Sequence, residues 1–257
     1  MSFLERITAE RREDALRRRA EGALEEAKAA AEAAPPVRDF EAALRVPGLS
    51  LIAEIKRASP SKGVIAAGAD EVAIARAYED GGAAAVSVLT EPNHFRGTLE
   101  DLRSVRSAVE VPVLRKDFVC DELHVYEARA AGADAVLLIV AALTQSELVA
   151  LIDAAAVCGM AADVEVHDPD EVGRAVDAGA RIVAINARNL ATLDVDLATV
   201  EKVRPLIPGG VLAVAESGIE TVADVRRMRD AGVDAVHIGE TLMRAPDPAA
   251  AIRDLLE

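Results

Sequence analysis

An α/β fold, a (β/α)8 TIM barrel with an additional N-terminal helical extension, is what the sequence predicts on three observations. Four segments repeat a helix-stopping glycine followed by an apolar run. Four more apolar segments fall between them, and unusual polar residues gather where these segments end.

The repeats are Gly81 to Leu89, Ala131 to Ile139, Ala178 to Asn186 and Ala231 to Gly239. A glycine that ends a helix and opens a near-continuous apolar run marks a turn into a strand covered on both faces. Gly82, Gly132, Gly179 and Gly232 are 50, 47 and 53 residues apart, which is too long for one βα unit and right for two. The chain order then follows. Phe3 to Ala34, rich in Glu, Arg and Ala, reads as one long surface helix broken by Pro35-Pro36, and Asp39 to Arg45 as a second short helix. Leu51 to Lys56 is the first strand, and Asp70 to Glu79 carries apolar residues at helical spacing. Val111 to Lys116, Ala161 to Val166 and Val211 to Ala215 supply the other intervening strands. Eight strands alternating with helices predict a single barrel domain over residues 1–257, with residues 1–46 as the extension. An open doubly wound sheet is the runner-up, but no Gly-rich dinucleotide turn supports it.

Composition narrows the function. Hydrophobic residues make up 51% of the chain but aromatics only 2%, so aliphatic side chains and Ala fill the core. A net charge of -15 argues against a nucleic-acid partner, which needs a basic face. Cys120 and Cys158 show no CxxC or Cys/His spacing, so no metal site is expected, and two free thiols fit a reducing compartment. The N-terminus is charged, and no run of about 18 apolar residues occurs. The expectation is a cytoplasmic protein with no membrane partner.

Active sites of such barrels lie at the C-terminal ends of the strands. Glu54 and Lys56 end strand one, Lys116-Asp117 strand three, Glu165 and His167 strand five, Asn186 and Arg188 strand six, Glu216-Ser217-Gly218 strand seven, and Gly239-Glu240 strand eight. Ile52, Glu54 and Lys56 share one strand face, and a charge inside a sheet costs several kcal/mol unless it is paired or solvated. Ser217-Gly218-Ile219 and Gly239-Glu240-Thr241 put small residues where a strand turns into a helix, so their N–H groups can take a phosphate. The expected partner is therefore a small phosphorylated molecule. Lysines and carboxylates facing one cavity suit acid–base work without a metal. His167, beside Asp168-Pro169, is expected to be structural or supporting rather than catalytic.

These residues fall in stretches that resemble the indole-3-glycerol phosphate synthase family. The resemblance runs from Glu54-Ile55-Lys56-Arg57-Ala58-Ser59-Pro60-Ser61-Lys62-Gly63 through Leu89-Thr90-Glu91 with Phe95 and Gly97, then Leu114-Arg115-Lys116-Asp117-Phe118. It continues through Val164 to His167, Ile185 to Leu190 and Ala215 to Ile219. It implies a carboxy-lyase of tryptophan biosynthesis that needs no cofactor and closes 1-(2-carboxyphenylamino)-1-deoxyribulose 5-phosphate to indole-3-glycerol phosphate, losing CO2 and water. By motif position it implies Lys116 as general acid and Glu165 as acid or base in the dehydration. Lys56 would steady the carboxylate or share proton transfer, Glu54 and Asn186 would hold hydroxyls and orient Lys56, and Glu216 belongs to the same catalytic set. Ser59 and Arg188 would sit near the anthranilate carboxylate, with Phe95, Phe118 and Leu137 walling the ring. Ser217, Gly218, Gly239 and the backbone of Glu240 would cradle the phosphate. A monomer is expected, with other enzymes of the pathway as candidate partners.

Two positions depart from that pattern. Glu240 stands where Ser is common, so only its N–H can serve and its carboxylate must turn away. Asp163 stands two before Glu165 in place of an aliphatic residue, and if both face inward it should raise the pKa of Glu165 or be neutralised by a lysine. A barrel isomerase such as phosphoribosylanthranilate isomerase is the rival, but Lys56 stands where its cysteine would be needed. The loop Arg57 to Gly68 is expected to close over substrate, pivoting near Gly63 and Gly68.

Overall fold

The computed structural model describes residues 2–257 except 60–62, 66–67 and 190–191, and only the backbone of residues 59 and 64. Eight parallel strands close into a barrel in chain order: β1 (Ser50–Ile55), β2 (Ala85–Leu89), β3 (Val113–Lys116), β4 (Ala135–Ile139), β5 (Ala161–Val166), β6 (Ile182–Asn186), β7 (Leu212–Glu216) and β8 (Ala235–Ile238), with β8 pairing back onto β1. β3 begins after Pro112, which has no N–H to give the ladder. A two-residue hairpin, Ala58–Ser59 against Gly63–Val64, follows β1.

Registers between neighbouring strands sort the inward side chains into layers contributed by alternate strands. Glu54, Lys116, Glu165 and Glu216 share the layer at the mouth. Ser87, Leu137, Ala184 and His237 lie beneath it, and Ile52, Leu114, Asp163 and Val214 beneath those. The floor is apolar, with Ala85, Ala135, Ile182 and Ala235 packed with Phe40 and Leu44. The outward residues, mostly Val, Leu and Ala, form a larger core under the helices.

The repeated Gly-x-Asp-Ala motif has a structural purpose. Asp134, fully buried, accepts the N–H of Val113 at 2.8 Å and of Arg38 at 2.7 Å, with Arg106 Nε 3.0 Å from its carboxylate. Asp234 does the same for Ala213 N at 2.8 Å. Each aspartate therefore fixes the start of the preceding strand by taking a backbone N–H there, that of the first residue in β3 and of the second in β7.

The extension differs from expectation. The long helix expected over Phe3 to Ala34 is two, α1 (Phe3–Ala20) and α2 (Ala23–Glu32), because Gly22 takes φ +93°, a left-handed conformation that ends a helix. The short helix α3 (Phe40–Leu44), capped by Asp39, plugs the barrel floor as noted. α1 is anchored to the mouth rather than lying freely on the surface: Arg11 pairs with Asp117 at 3.1 Å, Arg12 with Glu147 and Arg18 with Glu127. No helix of the described residues is long and apolar enough to cross a membrane.

Asp134→Ala should cost about 3–5 kcal/mol, since it strands two buried N–H groups and Arg106 together. Urea unfolding monitored by circular dichroism measures it, and a loss under 1 kcal/mol would deny Asp134 this role.

Candidate active site

The charged layer at the barrel mouth opens into a cavity of about 560 Å3. At its centre Lys116 Nζ lies 2.9 Å from Glu216 Oε2, 3.8 Å from Glu165 Oε2 and 4.0 Å from Glu54 Oε2. Lys56 Nζ donates to Glu54 Oε1. Asn186 Nδ2 donates to Glu165 Oε1 at 3.1 Å while its Oδ1 accepts Arg188 N at 2.9 Å, which fixes the amide orientation. Glu54, Glu165 and Glu216 are each buried, so their charges are felt at close to full strength.

Burial alone lowers a lysine pKa, yet Glu216, Glu165 and Glu54 outweigh it, and Lys116 stays well above its ordinary value. Burial alone raises the carboxylates. Against it, Lys56, Lys116 and His237 hold Glu54 below its usual range. Glu216 is held well below by Lys116 and His237, whereas burial and the Glu216 charge push Glu165 up. Two carboxylates sharing one lysine thus end in opposite states: Glu216 ionised, Glu165 the more readily protonated. His167 Nε2 is 3.1 Å from Glu165 Oε1, and its Nδ1 is 3.1 Å from Glu171 Oε2. Burial opposes its protonation, but the two glutamates win and push it up to about 10. His167 therefore supports Glu165 from behind the mouth.

Asp117 anchors the segment carrying Lys116 and Phe118. Its Oδ2 accepts Thr90 Oγ1 at 2.7 Å, Arg115 Nη2 at 2.8 Å and Arg11 Nη2 at 3.1 Å, and its Oδ1 accepts Phe118 N at 2.8 Å. Burial opposes ionisation, but Arg115 and Arg11 bring Asp117 down to about 2. Glu91 positions Phe95 in the same way, accepting the N–H groups of Asn93, His94 and Phe95 at 2.9, 2.7 and 3.0 Å. Phe95 and Phe118 lie 6.0 Å apart and, with Leu137 and Ile139, form the apolar wall.

At the opposite side Ser217 and Gly218 take φ +70° and +75°, a strained pair for which the serine has no steric excuse. A Cβ on Gly218 would lie 2.2 Å from Val195 Cγ1, and one on Gly239 would lie 2.2 Å from Glu54 Oε1. Gly239 is thus needed to let Glu54 into the mouth as much as to expose backbone. Thr241 Oγ1 donates to Ile219 O at 3.2 Å and ties the two turns together. The Glu240 carboxylate faces Arg244 Nε at 3.0 Å, turned as the sequence required.

The cavity also brings together Arg188, whose guanidinium donates to Leu193 O at 3.0 Å. The side chain of Ser59 and the residues Pro60, Ser61 and Lys62 lie outside the described residues, as do Ala66 and Ala67 of the loop expected to close. Among the lining residues missed from sequence are Phe3, Leu4 and His237. Phe3 and Leu4 reach the cavity from α1, Phe3 edge-on to Phe118 at 6.3 Å, and two apolar residues at the head of a Glu/Arg/Ala-rich run give no hint of this. His237, buried beside Glu216 and Glu54, could have been found by its place on a strand that is otherwise apolar.

Such a mouth, with charge at one side and a glycine cradle at the other, defines a phosphate-ester enzyme of the (β/α)8 class. Solved structures support the fold: thiamine phosphate pyrophosphorylase from Pyrococcus furiosus superposes with TM-score 0.63 at 20% identity over 80% of this chain and 93% of its own. A 3-hexulose-6-phosphate synthase gives 0.62 at 22% over 80% and 98%. The family model for indole-3-glycerol phosphate synthase matches residues 4–255. Indole-3-glycerol phosphate synthases of Mycobacterium avium (strain 104) and Mycobacterium tuberculosis (strain ATCC 25618 / H37Rv) are each 51% identical over 255 residues, covering 99% of this chain and 92% of theirs. The chain belongs to the indole-3-glycerol phosphate synthase family, a family of decarboxylating lyases, which removes the isomerase reading.

Gly239→Ala should displace Glu54 and lower turnover by about 10²-fold, the scale of a misplacement near 1 Å. Steady-state kinetics beside a thermal melt test it, and normal turnover would show that Glu54 tolerates the push.

Proposed function

We propose that this chain closes 1-(2-carboxyphenylamino)-1-deoxyribulose 5-phosphate to indole-3-glycerol phosphate, with Lys116 as the acid of the ring closure and Glu165 as the acid of the dehydration. The observation that carries the reading is Lys116 centred among Glu54, Glu165 and Glu216 between an apolar wall and a glycine cradle.

The phosphate sits on the N–H groups of Ser217, Gly218, Gly239 and Glu240, and the aromatic ring lies against Phe95, Phe118 and Leu137. Arg188 and Ser59 meet the ring carboxylate. The ring carbon bearing that carboxylate bonds to the ketone carbon while the ketone oxygen takes a proton from the Lys116 ammonium. Lys56 holds the carboxylate until it leaves as CO2, whose bonding electrons restore the aromatic ring. The hydroxyl made in the first step then leaves as water with a proton from Glu165, and a proton on the adjacent carbon passes to a carboxylate of the same cluster. Glu54 and Asn186 orient Lys56 and the substrate hydroxyls, and ionised Glu216 keeps Lys116 charged and in place. Every step uses fixed charge that solvent does not have to reorganise.

Lys116→Met should lower kcat by about two to four orders of magnitude, the scale of a general acid, with little change in binding of the phosphate ester, which is held elsewhere. Appearance of indole fluorescence measures turnover and a substrate-analogue titration measures binding. An equal loss of both would make Lys116 an anchor, and no fluorescence from well-folded wild-type protein would overturn the function.

A further inference from the structure

Beneath the catalytic layer the barrel interior holds polar groups that the reaction does not use. Asp163 is fully buried in the layer of Ile52, Leu114 and Val214, and neither of its carboxylate oxygens has a hydrogen-bond partner among the described residues. One layer up, Ser87 Oγ and both ring nitrogens of His237 are likewise without an aligned partner, although His237 Nδ1 lies 3.2 Å from Glu216 Oε2 and its Nε2 lies 3.7 Å from Glu54 Oε2. Glu216 Oε1, at the top of the same stack, is also unpartnered among the described residues. Native interiors rarely leave one such group unsatisfied, and here four residues stack along one axis. In the intervening layer Ser87 and Ala184 are small, and a site with several unpartnered polar groups is the kind that holds a water.

We propose that Asp163, Ser87 and His237 form a water-linked polar column along the barrel axis, and that Asp163 is a positioning residue that sets, through this column, how tightly Glu165 and Lys116 hold their protons. The ionisable groups facing Asp163 are Glu165 on its own strand, Glu216 on β7, His237 on β8 and Lys116 on β3; its other neighbours in the two layers are apolar apart from Ser87. Burial, then the charge of Glu216, pushes the Asp163 carboxyl up to about 7, with His237 and Lys116 pulling the other way. Below that pH the residue is a neutral O–H donor to the column. Above it a further negative charge enters beneath the mouth, Lys116 and Glu165 become weaker acids, and turnover falls.

The inference rests on the proton-transfer roles assigned to Lys116 and Glu165, so one readout is chosen that does not. The first test is kcat against pH: wild type should fall on the order of five-fold as pH rises through about 7, the size of a charge acting at a distance on a proton donor. Asp163→Asn cannot ionise and should lack that fall, while His237→Leu, which removes a ring that pulls the Asp163 carboxyl down, should move it to higher pH. The second test is melting temperature. A carboxyl whose folded pKa lies above its unfolded value contributes stability at low pH that is lost as pH rises from about 4 to about 7. Asp163→Asn should therefore gain on wild type in melting temperature between pH 5 and pH 8. Superimposable pH–rate profiles for wild type and D163N, or for wild type and H237L should D163N not fold, overturn the positioning role; a melting difference independent of pH overturns the titration itself. If Lys116→Met leaves turnover intact while the melting difference still grows with pH, the proton-transfer roles fail and the buried titration stands.

Discussion

The rest of the mouth depends on one constraint: three buried carboxylates are held within 4.0 Å of one ammonium. Each charge taken into a low dielectric is costly, and each is tolerable only because the others are there. Lys116 supplies one positive charge to three carboxylates, so the layer is short of cation until Lys56 and His167 are counted. This explains why Lys56 and His167 lie at the rim of the layer. Glu165 is nevertheless pushed toward its neutral form, by burial and by the charge of Glu216, against the pull of His167 and Lys116.

Fixing the layer requires support from outside the barrel. Asp117 follows Lys116 directly, and its four hydrogen bonds draw on β2, β3 and α1, so the N-terminal helix is coupled to the position of the central lysine. The same helix delivers Phe3 and Leu4 to the cavity. Stability and site geometry are therefore not separable here: α1 buries Leu4 and Ile7, and one of the ion pairs that hold it down, Arg11 with Asp117, also orients the segment carrying Lys116 and Phe118.

Much of this was legible in the sequence because the barrel writes a two-unit period. The repeats of a glycine followed by an apolar run marked alternate strands, and residues such as Glu54, Lys116 and Glu216 stood out as charges at the ends of apolar runs. What could not be read was whatever depends on contacts between distant segments. Phe3 and Leu4 look like the start of any charged surface helix, and only the packing of α1 across the mouth brings them to the cavity. Gly22 inside a Glu/Arg/Ala-rich run is a weak break signal, overridden by eye but not by the backbone, which takes φ +93° there. Strand starts slipped by one or two residues where Pro112 and Gly210 intervene, since a strand begins where its N–H groups find partners and not where apolar residues begin.

Asp163 shows how the two kinds of information combine. The period of two along β5 already required it to share a face with Glu165, and the alternative left open was neutralisation by a lysine. The register removes that alternative, because Lys116 lies in the layer of Glu165 and two levels above Asp163, where it can pull on the carboxyl but forms no ion pair with it. A fully buried carboxylate with no cation in contact is far more costly than a carboxylic acid, so the group keeps its proton to unusually high pH. The catalytic layer therefore rests on a floor whose own charge depends on pH, and any account of how Glu165 and Lys116 exchange protons has to include a group that never touches the substrate.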